Sequence, residues 1–138
     1  MKCHLIPCLL LGCCTWAVAE PRYTQSDFGG VGLLQTPSAR MAPAGELSLT
    51  ASRTDPYSRY SVSFQPFDWF EGAFRYTSIS NRNYGPESFS GDQSYKDKAI
   101  DAKVRLLEEG HWMPQVALGA RDIGGTGLFS SEYFVGNK

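Results

Sequence analysis

The chain has 138 residues, 13 Lys and Arg against 14 Asp and Glu, and a hydrophobic fraction of 42%, which fits one ordinary-sized unit. Its basic residues are spread thinly and leave no electrostatic footprint for a phosphate backbone, which argues against a dedicated nucleic-acid binder. Aromatic residues reach 13% with only 20% charged residues, a composition that argues against disorder and for burial in a core or a bilayer.

Residues 1–19 read as a separate object. Lys2 precedes an apolar run over residues 5–16, and Ala17-Val18-Ala19 stands before Glu20, the order of a secretory signal with cleavage between Ala19 and Glu20. The run contains Pro7 and Gly12 and falls short of the roughly 20 apolar residues that a transmembrane helix needs. All four cysteines, Cys3, Cys8, Cys13 and Cys14, lie here, so a chain beginning at Glu20 has no thiol for a disulfide or a zinc site. Leu10-Leu11-Gly12-Cys13 also resembles a lipoprotein box, which makes Cys13 the candidate for lipidation. The small-x-small site favours ordinary cleavage over that reading.

Residues 20–45 form a leader with Gly29-Gly30, Pro37 and Pro43. Its composition suits a segment lying inside or under a barrel, and a plain linker fits as well. From residue 46 apolar side chains recur with period two, the pattern of half-covered strands. Leu47, Leu49 and Ala51 alternate with Ser48, Thr50 and Ser52, and Tyr60, Val62 and Phe64 with Ser61, Ser63 and Gln65. Phe70, Gly72, Phe74 and Tyr76 then share one face, Ala102, Val104 and Leu106 follow, and Val116, Leu118 and Ala120 make a fifth run. A fainter sixth covers 132–136. Residues 96–109 contain helix-favouring residues, but the apolar positions 100, 102, 104 and 106 keep strict alternation, so no helix is expected.

The connections alternate in kind. Residues 54–59 and 65–68 have turn composition, about twenty polar residues over 78–98 form a long loop, and 108–114 is short again. Short turns at one end and a longer loop at the other are the asymmetry of an outer-membrane barrel. Phe67, Trp69, Phe70 and Trp112 fall at one rim, and Tyr57, Tyr60 and Tyr76 at the other, as interface girdles would. The same rings could cap a soluble sandwich. If the apolar face meets lipid, Glu71, Arg75, Asp101, Lys103, Arg105 and Arg121 line the lumen, where they could hold hydroxyl-rich polymers or simply pair across strands.

Catalytic parts are scarce. His111 sits between Gly110 and Trp112 in a turn, with no second histidine after residue 20 to complete a metal site or a triad. Glu108 and Glu109 are adjacent and so point to opposite faces of a strand end. Gly29-Gly30-Val31-Gly32 and Gly124-Gly125-Thr126-Gly127 lack a phosphate loop's Lys-Ser/Thr and its strand-turn-helix frame, and read as tight-turn glycines. No enzyme activity, catalytic residue, metal or cofactor is expected.

Residues 25–47 (beginning QSDFGGVGLLQTP), 58–67 (SRYSVSFQPF), 81–106 and 119–138 resemble the N-terminal part of the YjbH family of Gram-negative bacteria. The resemblance implies an outer-membrane β-barrel protein, in some members a lipoprotein, associated with exopolysaccharide or capsule production and export. Family members continue for several hundred residues past the point matching Lys138, so the chain resembles a fragment. The expectation is an all-β antiparallel meander of about six strands over residues 46–138, an incomplete outer-membrane barrel segment. Its expected partners are outer-membrane lipid, exopolysaccharide and other export-machinery proteins. A secreted soluble β-sandwich that binds carbohydrate or a partner protein is the alternative.

Overall fold

The computed structural model describes residues 23–138. Cys13, Ala19 and Glu20, and with them the cleavage and lipidation readings, lie outside the described residues.

Among the described residues nine strands and a single helical turn make up the fold. Three short strands come first: β1 (Gln25–Ser26), β2 (Gly29–Leu33) and β3 (Thr36–Pro37). Six longer ones follow: β4 (Glu46–Thr54), β5 (Tyr57–Phe67), β6 (Phe70–Asn83), β7 (Ser94–Leu107), β8 (Gln115–Arg121) and β9 (Ser131–Asn137). The six form one antiparallel sheet in sequence order, β4 to β9, and the three short strands form a second sheet. The fold is therefore all-β and antiparallel, and the large sheet does not close on itself: β4 and β9 are its two edges. The leader, for which a linker was an equal expectation, is instead a folded three-stranded unit laid on one face of the large sheet. Gly29 sits against Ser61 and Ala73, and Gly30 against Glu71, at approaches that leave no room for a Cβ.

The loop expected over residues 78–98 is a correction. Strands β6 and β7 run to Asn83 and from Ser94, pairing Ser78 with Lys96 and Ile79 with Tyr95, so only residues 84–93 connect them, with the one-turn helix α1 (Glu87–Ser90) inside. Alternation reveals a strand only where its two faces differ in polarity. Beyond Thr77 the outward row turns polar at Ser78 and Ser80 while the inward row carries the buried Ile79 opposite Tyr95, so the earlier contrast is lost while the ladder continues.

Burial in the large sheet is inverted relative to a water-soluble protein. The apolar row stands open: Leu49 is 78% exposed, Phe134 68%, Ile100 50% and Phe74 45%. The largest fully buried side chains are Arg75, Lys103, Gln65, Thr77 and Asp97, and the buried apolar residues are mostly small, such as Ala73, Ala99 and Ala117. The cause is period two combined with the leader's choice of face, because the leader covers the polar row.

Two glycines mark where rings cross the sheet. Phe64 lies over Gly72 on the apolar face, and Tyr133 over Gly119 on the polar face, each directly opposite in the ladder. A side chain at Gly119 would overlap the Tyr133 ring, so Gly119→Val should destabilise the fold by about 1–3 kcal/mol, the range for overpacking. Combining it with Tyr133→Ala should recover part of that loss. Denaturant midpoints of the three variants test this, and an unchanged midpoint for Gly119→Val would show that the ring does not rest there.

Candidate functional site

The site is the polar face of the large sheet together with what covers it. Antiparallel register places its side chains in cross-strand rows. Ser52, Arg59, Thr77 and Asp97 form one row, Thr50, Ser61, Arg75 and Ala99 the next, and Glu71, Lys103, Gly119 and Tyr133 another.

Four of the six charges expected on this face are brought together as two buried ion pairs. Lys103 Nζ lies 3.0 Å from Glu71 Oε1, directly opposite in the ladder, and Arg75 Nη1 donates to Asp101 Oδ2 at 2.6 Å. These pairs also hold backbone. The Val31 N–H donates to Glu71 Oε2 at 2.9 Å, while Lys103 Nζ donates to the carbonyls of Val31 at 3.2 Å and Arg40 at 3.0 Å. One residue of the leader, Val31, is thus gripped at both its N–H and its C=O. Asp101 Oδ1 accepts from the Asp122 N–H at 2.7 Å, which fixes the bend after β8, where Asp122 has φ 56°.

The other two behave differently. Arg121 is half-buried and donates to the Gln35 carbonyl at 3.1 Å, a further hold on the leader. Arg105 is half-buried near the end of β7, with Glu108 at 4.0 Å, and joins neither buried pair. Asn137 completes the attachment: its Oδ1 accepts from the Ala39 N–H at 2.6 Å and from Ser38 Oγ at 3.1 Å. The leader's contacts with this face are therefore largely polar.

An aromatic and arginine cluster stands beside the ion pairs. Phe28 meets Phe129 edge-on at 6.1 Å, and Tyr57 meets Phe129 at 5.8 Å. Phe129 is carried by residues 122–130, which fold back over the sheet: the Phe129 N–H donates to Asp122 Oδ2 at 3.1 Å, and Thr126 Oγ1 donates to Asp97 Oδ1. Tyr57 stands at the first position of β5, as expected of a strand end, and its ring packs against Arg59 at 4.7 Å. At the end with the short turns, Phe67 and Trp69 stack at 5.5 Å and 5°, both about half exposed, and Trp112 is 83% exposed with the His111 ring against its edge.

Sequence reasoning missed Phe28, Arg59, Asp97, Asp122 and Phe129. Parity could have found Arg59 and Asp97, which share the face of Ser61 and Asp101. Nothing local marks Phe28 or Phe129, whose partners are distant in sequence. Glu108 and Glu109 are exposed, and Glu109 pairs with Arg40. Gly29 and Gly30, expected in a tight turn, instead open β2 just after the turn at Asp27 and Phe28, with φ 97° and 31°. Among the described residues no group of three or more His, Cys, Asp and Glu is placed to hold a metal ion.

Residues 24–138 match the family described as YjbH, "Exopolysaccharide biosynthesis protein YbjH". The chain is 57% identical over 143 aligned residues to the uncharacterized lipoprotein YjbH of Escherichia coli (strain K12), an alignment covering 99% of this chain and 20% of that protein. It thus spans about a fifth of the length of that relative. No solved structure matches.

Proposed function

The chain belongs to the YjbH family, and from that premise we propose that its large sheet is a sector of an outer-membrane β-barrel serving exopolysaccharide production or export without catalysing a reaction. The observation that carries this reading is the inverted burial. A sheet that exposes Leu47, Leu49, Phe74, Ile100, Leu118 and Phe134 while burying Arg75, Asp97 and Lys103 has the polarity of a wall between lipid and a polar lumen. A soluble sandwich places its apolar rows between two sheets, and here the second sheet covers the polar row.

In lipid, the open edges β4 and β9 would leave unpaired N–H and C=O groups costing several kcal/mol each. Closure therefore requires strands besides these six, from a longer protein or from other copies. Expressed in a Gram-negative host, the chain should sediment with outer membranes and resist carbonate extraction. Recovery as a soluble periplasmic monomer would overturn the proposal.

Lipidation belongs to the same reading. The relative named a lipoprotein supports acylation at Cys13 over cleavage after Ala19. Tyr23 lies with Asp68, Arg105 and Glu108 around one cleft at the short-turn end, the periplasmic rim of a barrel. The ten residues from Cys13 to Tyr23 can reach at most about 36 Å, enough to seat an acyl chain in the nearby leaflet. Intact mass of the membrane-extracted protein should include acyl groups that Cys13→Ser removes. A product beginning at Glu20 would show ordinary cleavage instead.

A further inference from the structure

The Phe28 ring lies in a slot among three guanidinium groups that it can stack on but cannot hydrogen-bond. The guanidinium carbons of Arg121, Arg75 and Arg59 stand 4.2, 4.8 and 4.8 Å from its centroid. Stacking of this kind uses the flat face of a guanidinium and leaves its in-plane N–H groups in need of acceptors. Among the described residues Arg59 Nε and Nη1 and Arg75 Nε and Nη2 have none, although Arg59 is 3% exposed and Arg75 fully buried. Acceptors are also unmet among the described residues: Ser61 Oγ, Thr77 Oγ1 and Asp97 Oδ2 in the same rows, and Asp122 Oδ1 just past β8. A phenyl ring satisfies neither kind, and buried polar groups are as a rule hydrogen-bonded.

Charge narrows the class of ligand. The four carboxylates Asp27, Asp97, Asp101 and Asp122 outnumber the three cations Arg59, Arg75 and Arg121, so the slot offers no surplus positive charge to an anion. Unmet donors and acceptors side by side, edged by Tyr57 and Phe129, match hydroxyl groups, which both donate and accept, carried on a ring with apolar C–H faces. The residue filling the slot ends the turn that leads into β2. Gly29 and Gly30, both at positive φ, follow Phe28 directly, and the next peptide, at Val31, is held separately by Glu71 and Lys103.

We propose that the place of the Phe28 ring is a subsite for an uncharged saccharide ring, uncovered when residues 27–30 swing out and bound through Arg59, Arg75, Thr77 and Asp122. This deepens the reading of the polar face as a lumen wall and rests on it.

The test uses the full chain refolded in detergent micelles, with calorimetric titration of maltohexaose as the neutral probe and hexagalacturonate as the acidic one. Phe28→Ala should bind maltohexaose about tenfold more tightly than wild type, with no comparable gain for hexagalacturonate, and Arg59→Gln added to it should abolish the gain. Should Phe28→Ala fail to fold, Phe28→Leu keeps an apolar anchor and should show a smaller gain, again abolished by Arg59→Gln. Equal binding by wild type and the Phe28 variants, a preference for the acidic probe, or a gain that survives Arg59→Gln would overturn the subsite. Fractionation of the same variants separates the two failures: a detergent-free soluble monomer overturns the membrane reading, whereas an inserted protein without Phe28-dependent binding overturns only the subsite.

Discussion

Lys103→Met should destabilise the folded chain by roughly 3–5 kcal/mol, the range for removing one partner of a buried ion pair. The Lys103 and Glu71 side chains are 1% and 7% exposed, so a lone Glu71 carboxylate would sit uncompensated away from bulk water. The same change strips the carbonyls of Val31 and Arg40 of their donor. Loss of stability should therefore accompany release of the leader, seen as faster proteolysis within residues 23–45. Adding Glu71→Gln should recover much of the stability, because a neutral amide oxygen can still accept from the Val31 N–H and position 71 no longer carries an uncompensated charge. Denaturant midpoints of the two single variants and the double close the thermodynamic cycle. A single variant within about 0.5 kcal/mol of wild type, the range for surface substitutions, would mean that the pair is solvated and does not grip the leader.

Arginine placed on the apolar face should have an effect of similar size, visible only in a membrane. Phe74 and Leu118 are each nearly half exposed, and Phe74 lies opposite Val62 and Ile100 in the centre of the apolar row. On a water-soluble protein, Phe74→Arg or Leu118→Arg at such exposure would change stability within about 0.5 kcal/mol. On a lipid-facing strand near the bilayer midplane it should destabilise by about 2–4 kcal/mol. Folding titrations in lipid vesicles measure the difference, and the membrane-bound fraction in cells should fall accordingly. Arg53→Ala, beyond the apolar row at the end of β4, is the control and should leave both quantities unchanged. Neutral behaviour of both arginine variants would place the apolar face against something other than lipid.

The strands were legible wherever their two faces differ. Leu47 to Ser52, Tyr60 to Gln65 and Phe70 to Thr77 alternate in the sequence as they do in the sheet, because a strand sends successive side chains to opposite sides whatever surrounds it. Parity also placed Glu71, Arg75, Asp101 and Lys103 on a common face before any partner was known. Where contrast fades the strands were lost, as in β6 beyond Thr77 and the start of β7, which continue a ladder that only pairing reveals.

The tertiary structure alone decided how the polar face is covered. Alternation is local and symmetric, so it separates two rows without saying which one is buried. That choice depends on Val31 meeting Glu71 and Lys103, which lie 40 and 72 residues away, and on Phe28 meeting Phe129 across the sheet. Such contacts carry no local signature in residues 23–45, whose small strands are held by polar groups of other strands and not by any apolar periodicity of their own. What the sequence by itself determined is an antiparallel sheet of two unlike faces. That its charged face is the buried one, paired internally and occupied by its own N-terminal segment, follows from long-range contacts whose energy exists only once the strands are assembled.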